Sequence, residues 1–241
     1  MNGLDVAQLR ADFRRDGYVI LPGFLNAEEL TELDTRIEAF LDTGNIREAM
    51  KSKAKFAGTI KGLDRKDEWF SALLNQGKPA QMVSQLLEDD LDTGTAALFD
   101  RIPGEDEGIQ PHFDSLGHRR DGATLWIALD HTSTENGCLY YAKGSHKQKY
   151  ESVVGLPNFD ESTPGAMPVQ LKPGDAAVHS SLTVHWSNPN QSERSRRGVT
   201  FFYWAASSKG EKGWLDYKKQ ASMAKKQASF AKKTARNSES P

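Results

Sequence analysis

The 241-residue chain holds one cysteine, Cys138, which excludes an internal disulfide framework and a cysteine-based zinc site. It has no apolar run of roughly 18 residues, so no membrane span is expected. The opening MNGLDVAQLRADF lacks the apolar core of a signal peptide, and a cytoplasmic protein is expected. Excess charge is also missing. Lys+Arg 31 against Asp+Glu 33 leaves a net charge of −2, which argues against a nucleic-acid partner though not against a local basic patch. Hydrophobic residues are sparse at 37%, yet a chain of this length still buries one sizeable core.

The pattern is helical first and strand-like later. Residues 4–16 read as a helix with Leu4, Leu9 and Phe13 inward, and DGYVILPGFL reads as a short strand between turns. Asn26 and Glu29 have capping-box spacing, with Leu25 and Leu30 placed as a hydrophobic staple. The helix they open carries Leu30, Leu33, Ile37 and Phe40/Leu41 at helical spacing. Residues 44–66 look irregular and basic, and another helix is expected over 67–91. From about 94 onward, TAALFDRI, ATLWIALDH, CLYYA, MPVQLK, AAVHS, TVHWS and GVTFFYW alternate with Gly, Pro, Asn and Asp. Asn136-Gly137 signals a tight hairpin, and Pro173-Gly174-Asp175 another turn. The expected fold is mainly β with flanking α-helices, a double-stranded β-helix or cupin-like jelly roll. One domain is expected over 1–208, with a helical N-terminal region over residues 1–92 and a jelly-roll core over 93–206. The tail 209–241 carries a net charge of +6 and repeats KKQASMA, KKQASFA. It reads as a solvated, partly helical segment, with docking on a partner or an anionic surface as the alternative.

Six histidines are present, and one constellation has metal-ligand chemistry in its spacing. His112-Phe113-Asp114 is an H-x-D unit, and on a strand residues i and i+2 share a face. With His185 from a distant strand it makes a facial triad of two histidines and one carboxylate, a set associated with non-haem Fe(II) oxygenases. Arg196 opens the next strand, where a guanidinium can grip the far carboxylate of a dicarboxylate co-substrate in bidentate fashion. Arg197 is the runner-up but faces the other way. His179 in its apolar strand reads as a satisfied core histidine, His146 as structural, and His118 and His131 as loop residues. Cys138 reads as a buried, inert thiol.

DGYVILPGFLNAEEL, HFD, WIALDHTSTENGCLYYAKGSH, PGDAAVHSSLTVHWSNPNQSERSRR and FFYW occur in this order. Together they resemble the phytanoyl-CoA dioxygenase family of Fe(II)/2-oxoglutarate-dependent oxygenases over about 13–204. The resemblance implies iron on His112, Asp114 and His185, and the distal carboxylate of 2-oxoglutarate on Arg196. Trp126 and Ser187 match family positions that contact 2-oxoglutarate. It further implies hydroxylation of an unactivated C–H of a small metabolite by O2, with release of succinate and CO2. Related halogenases carry a small residue at the acidic position, so Asp114 favours oxygen transfer. Lys143-Gly144-Ser145-His146 departs from the family's Pro-Gly-Ser-His, and because the chain is short for the family an unusual substrate lid is expected over about 44–80. The basic residues at 47–66 read as a solvated face, with contact to an anionic substrate as the alternative. Two rivals remain on the residues alone: a non-catalytic cupin-like binding protein, and a zinc hydrolase on the same ligands. The oligomeric state is left open.

Overall fold

The computed structural model describes residues 5–44, 46, 58–104, 107–115, 121–148, 150, 156 and 158–209. The heptad-like tail, apart from Lys209, and the basic run 47–57 lie outside the described residues.

Helix α1 (Val6–Asp16) starts at Asp5, whose carboxylate accepts from the Ala7 and Gln8 amides, and stops at Gly17 with φ 86°. Gly17 is a position only glycine fills easily, because a Cβ there would meet His146 and Thr183. Strand β1 (Tyr18–Leu21) follows. Helix α2 (Ala27–Leu41) opens with the expected capping box between Asn26 and Glu29 and buries Leu33, Ile37, Phe40 and Leu41. Strand β2 (Thr59–Lys61) lies in a region expected to be irregular; it pairs with the edge of β3.

The helix expected over 67–91 is two helices, α3 (Glu68–Gln76) and α4 (Lys78–Leu87). Gly77 breaks the run with ψ 179°, and Pro79 sits in the first turn of α4, where its missing N–H costs nothing. Strand β3 (Leu91–Arg101) therefore begins where the long helix was expected to end. Then come β4 (Ile109–His112), β5 (Gly122–Ala128), β6 (Leu139–Ala142), β7 (Ala166–Val169), β8 (Ala176–Ser180), β9 (His185–Ser187) and β10 (Arg196–Ala205).

The strands form two antiparallel sheets, ordered β1-β8-β5-β10-β3-β2 and β4-β9-β6-β7. With β1 and β2 set aside as edge additions, β3 to β10 shuttle between the sheets as the expected double-stranded β-helix. Asn136-Gly137 does not close a hairpin. β5 and β6 belong to different sheets, and the segment carries the chain across. Asn136 instead organises a wider loop, accepting from the Ser133 amide and donating to the His131 carbonyl, each at 2.8 Å.

Strand parity divides the large sheet into two faces. Leu98, Leu125, Ile127, Val178, Val199 and Phe201 pack outward against the helices in the main core, beside Leu33, Ile37, Phe70 and Met82. Trp126, Ala128 and Ala177 point inward to Tyr141 and Val169 of the small sheet. No helix among the described residues is long and apolar enough to cross a membrane.

Ile37 is 1% exposed, so Ile37→Ala is expected to cost about 2–5 kcal/mol through transfer and cavity terms. Asn26→Ala, which removes only the cap, is expected to cost about 1 kcal/mol. Urea unfolding followed by circular dichroism reads both, and a cap loss as large as the core loss would contradict this ranking.

Candidate metal centre and co-substrate pocket

Strands β4 and β9 pair with His112 directly opposite His185, and the two rings lie 4.2 Å apart. Each ring is oriented by its own backbone. His112 Nδ1 lies 2.8 Å from the Gln110 carbonyl and His185 Nδ1 3.0 Å from the Thr183 carbonyl. A carbonyl only accepts, so Nδ1 carries the proton and Nε2 keeps its lone pair. Burial first, then the neighbouring His185, pushes the His112 pKa down to about 4. Burial first, then His179, pushes that of His185 to about 4. Both rings are thus neutral at pH 7 and able to donate to a metal.

Asp114 completes the group, but not by strand parity. β4 ends at His112, so Asp114 lies in the turn beyond. Tertiary contacts place it. The Ser115 amide donates to the Ser181 carbonyl at 2.8 Å, which ties this turn to the β8–β9 connection. Asp114 Oδ2 accepts from the Thr124 hydroxyl at 2.7 Å and lies 3.2 Å from His179 Nε2. Asp114 Oδ1 faces the histidines, 4.0 Å from His112 Nε2 and 3.7 Å from His185 Nε2. Burial alone would raise the carboxyl pKa; His185, His179 and His112 outweigh it and hold the group well below the usual carboxylate range. One donor atom from each of His112, Asp114 and His185 falls within 4.8 Å of the others, a spacing suited to one metal ion. The His112 and Asp114 side chains remain 20% and 26% exposed, so the centre is open on one side.

The expected co-substrate residues gather one step along. Ser187 follows His185 by two positions on β9, about 7 Å further on the same face, and is buried. Its hydroxyl accepts from Arg101 at 2.8 Å. Arg196, 1% exposed, opens β10 directly opposite Arg101 of β3. Its guanidinium lies 5.3 Å over the Trp126 ring and donates to the Gly137 carbonyl. Arg197 points to the other face, bonded to Asp130 and to Asp34 and Glu38 of α2. The Trp126 indole lies across Gly198, where a Cβ would come 2.2 Å from the ring.

Residues 13–198 match a known family model, phytanoyl-CoA dioxygenase. The chain belongs to the phytanoyl-CoA dioxygenase family. A methylphosphonate hydroxylase of Gimesia maris is 27% identical over 210 residues, covering 79% of this chain and 77% of the relative. A probable alpha-ketoglutarate-dependent hypophosphite dioxygenase of Stutzerimonas stutzeri is 24% identical, covering 84% and 79%. EvdO2 of Micromonospora carbonacea, solved with 2-oxoglutarate, shares the fold at a TM-score of 0.70 with 21% identity, covering 85% of this chain and 92% of that one. Family membership carries the reaction class with it: an iron(II)- and 2-oxoglutarate-dependent dioxygenase that consumes O2. The zinc-hydrolase and non-catalytic alternatives are thereby set aside.

Four residues around the centre were not singled out for function by sequence reasoning. His179 is buried, as expected of a core histidine, yet one of its nitrogens reaches Asp114. Thr124 is its cross-strand partner. Tyr141 lies directly opposite His185 on β6, and Arg101 looks like any strand-end arginine. The available signal was parity: Thr124 and Trp126, like His179 and Ala177, share the inward face. His131 is exposed and outside the centre, as expected, while His118 lies outside the described residues. His146 Nε2 sits 3.1 Å from the Arg14 carbonyl. Cys138 is buried and free, its thiol pushed up to about 11 by burial.

Gly198→Ala is expected to drive Trp126 off the strand and Arg196 with it. The 2-oxoglutarate Kd should rise about tenfold, equivalent to about 1.4 kcal/mol, with Fe(II) affinity unchanged. Calorimetric titration of each ligand checks this; equal loss of both would mean a general fold defect.

Proposed function

We propose that His112, Asp114 and His185 hold the iron and that Arg196, Trp126 and Ser187, assisted by Arg101, hold 2-oxoglutarate in the oxidation of a small oxyanionic substrate such as a phosphonate. The observation that carries this reading is the convergence of three metal-competent donors beside two buried guanidiniums from directly opposite residues. The donor set fits iron(II): two neutral imidazole Nε2 atoms and one carboxylate oxygen leave half of an octahedron open. The bound metal and co-substrate together supply the oxidising power for C–H hydroxylation.

The protein's own contribution is positional. Backbone carbonyls at Gln110 and Thr183 fix both imidazole planes. Thr124 and His179 hold the far side of Asp114. Arg196 and Arg101 would hold the distal carboxylate of a five-carbon diacid, about one strand step beyond His185. Trp126 forms the floor under Arg196 and keeps water from its buried face. The anionic substrate class is supported by the phosphorus chemistry of both relatives named above. It is also supported by Lys61 on the edge strand β2, which pairs with Ala97 of β3 and so has the parity of the sheet's inward face.

Anaerobic addition of Fe(II) and then 2-oxoglutarate is expected to develop the weak visible charge-transfer band of a chelated metal. His112→Ala should abolish it, and Arg196→Ala should raise the 2-oxoglutarate Kd roughly 10²-fold, from loss of a charge-assisted bidentate contact of about 3 kcal/mol. Screening small phosphonates and carboxylates for succinate release then identifies the substrate. Absence of the band in the wild-type protein would overturn the assignment. Turnover of neutral substrates alone would overturn the oxyanion reading.

A further inference from the structure

His179 and Tyr141 form a buried pair behind the metal ligands, and the direction of the bond to Asp114 follows from the carboxylate. A carboxylate that binds a metal ion is deprotonated, and a deprotonated carboxylate only accepts. His179 Nε2, 3.2 Å from Asp114 Oδ2, therefore carries the proton. On the other side of the ring, Nδ1 lies 3.0 Å from the Tyr141 hydroxyl. Thr124 donates to the same carboxylate oxygen at 2.7 Å. His179 is 2% exposed and Tyr141 fully buried, so water does not compete for these bonds. Asp114 Oδ2 has two protein donors, whereas Oδ1 faces His112 and His185.

We propose that His179, set by Tyr141 and assisted by Thr124, is a positioning residue that restricts Asp114 to one metal-bonding oxygen and so keeps a coordination position free for O2. This rests on the iron and 2-oxoglutarate reading above. The count is simple. Two histidines, one carboxylate oxygen and two oxygens of a chelating 2-oxo acid would fill five of the six positions of an octahedral iron. A carboxylate that binds through both oxygens fills the sixth. Nothing in the metal's own preference prevents the second mode. The hydrogen bonds to Oδ2 oppose it, because turning that oxygen to the metal would strand the buried His179 N–H and Thr124 hydroxyl.

The test uses nitric oxide as a probe for the O2 position on the anaerobic Fe(II)–2-oxoglutarate protein, followed by electron paramagnetic resonance. His179→Phe removes both hydrogen bonds and keeps a ring in place. Its nitric oxide Kd is expected to rise at least tenfold, while Fe(II) binding and the charge-transfer band persist. His179→Gln retains an N–H donor and is expected to return within about threefold of wild type. Tyr141→Phe should move in the same direction as His179→Phe by a smaller factor. A folded His179→Phe protein that takes up nitric oxide like wild type overturns the proposal, as does failure of a folded His179→Gln to restore it. If His179→Phe does not fold, Thr124→Val decides: unchanged nitric oxide affinity overturns the proposal, and a weakened one supports it. A wild-type protein with no charge-transfer band would instead overturn the underlying co-substrate reading, so the two failures are distinct.

Discussion

Asp114 sits where four other polar side chains converge. One carboxylate oxygen accepts from Thr124 and stands beside His179, and the other faces the Nε2 atoms of His112 and His185. An ionised carboxylate this enclosed is costly unless its lone pairs are met. Here the large sheet supplies the partners on one side through Thr124 and His179, directly opposite each other on β5 and β8. The strands of the small sheet supply the histidines on the other. The group therefore joins the two halves of the jelly roll at the proposed metal centre.

The rest of the pocket follows from the same two-sheet geometry. Inward positions of β3, β5, β8 and β10 carry Arg101, Trp126, His179 and Arg196, while outward positions feed the apolar core beneath the helices. Arg196 and Arg197 show how sharply parity acts. Adjacent in sequence, one stacks on Trp126 inside the barrel, and the other binds Asp130 and the acidic face of α2. The helices have a supporting role in this site: they close the outer face of the sheet and leave its inner face for polar groups. Glycines mark close approaches, as at Gly198, where absence of a side chain admits the Trp126 indole.

Some elements were legible because their physics is local. The Asn26–Glu29 capping box, the amphipathic stripe of α2 and the Gly174 turn are set by neighbours in sequence, and all appear. Other signals were overruled. Asn136-Gly137 has tight-turn chemistry, yet its flanking strands pair with different sheets, and sheet membership is a long-range property. The expected helix over 67–91 splits because Gly77 takes an extended conformation before Pro79. The H-x-D argument expected both residues on one strand; His112 is on a strand, whereas Asp114 is held beyond its end by Ser115, Thr124 and His179.

The sequence by itself determined the alternation of faces along each strand, the cap and turn positions, and the chemical types able to bind a metal and a diacid. It determined the family as well, because HFD, His185 and Arg196 keep their order within a recognisable frame. Tertiary structure decided which groups meet. The pairing of His112 with His185, Ser187 with Arg101, and Tyr141 with His179 and through it Asp114 spans tens of residues of chain. Such contacts depend on strand register between and across the sheets. Register is set by the whole hydrophobic pattern at once, so no single segment encodes it.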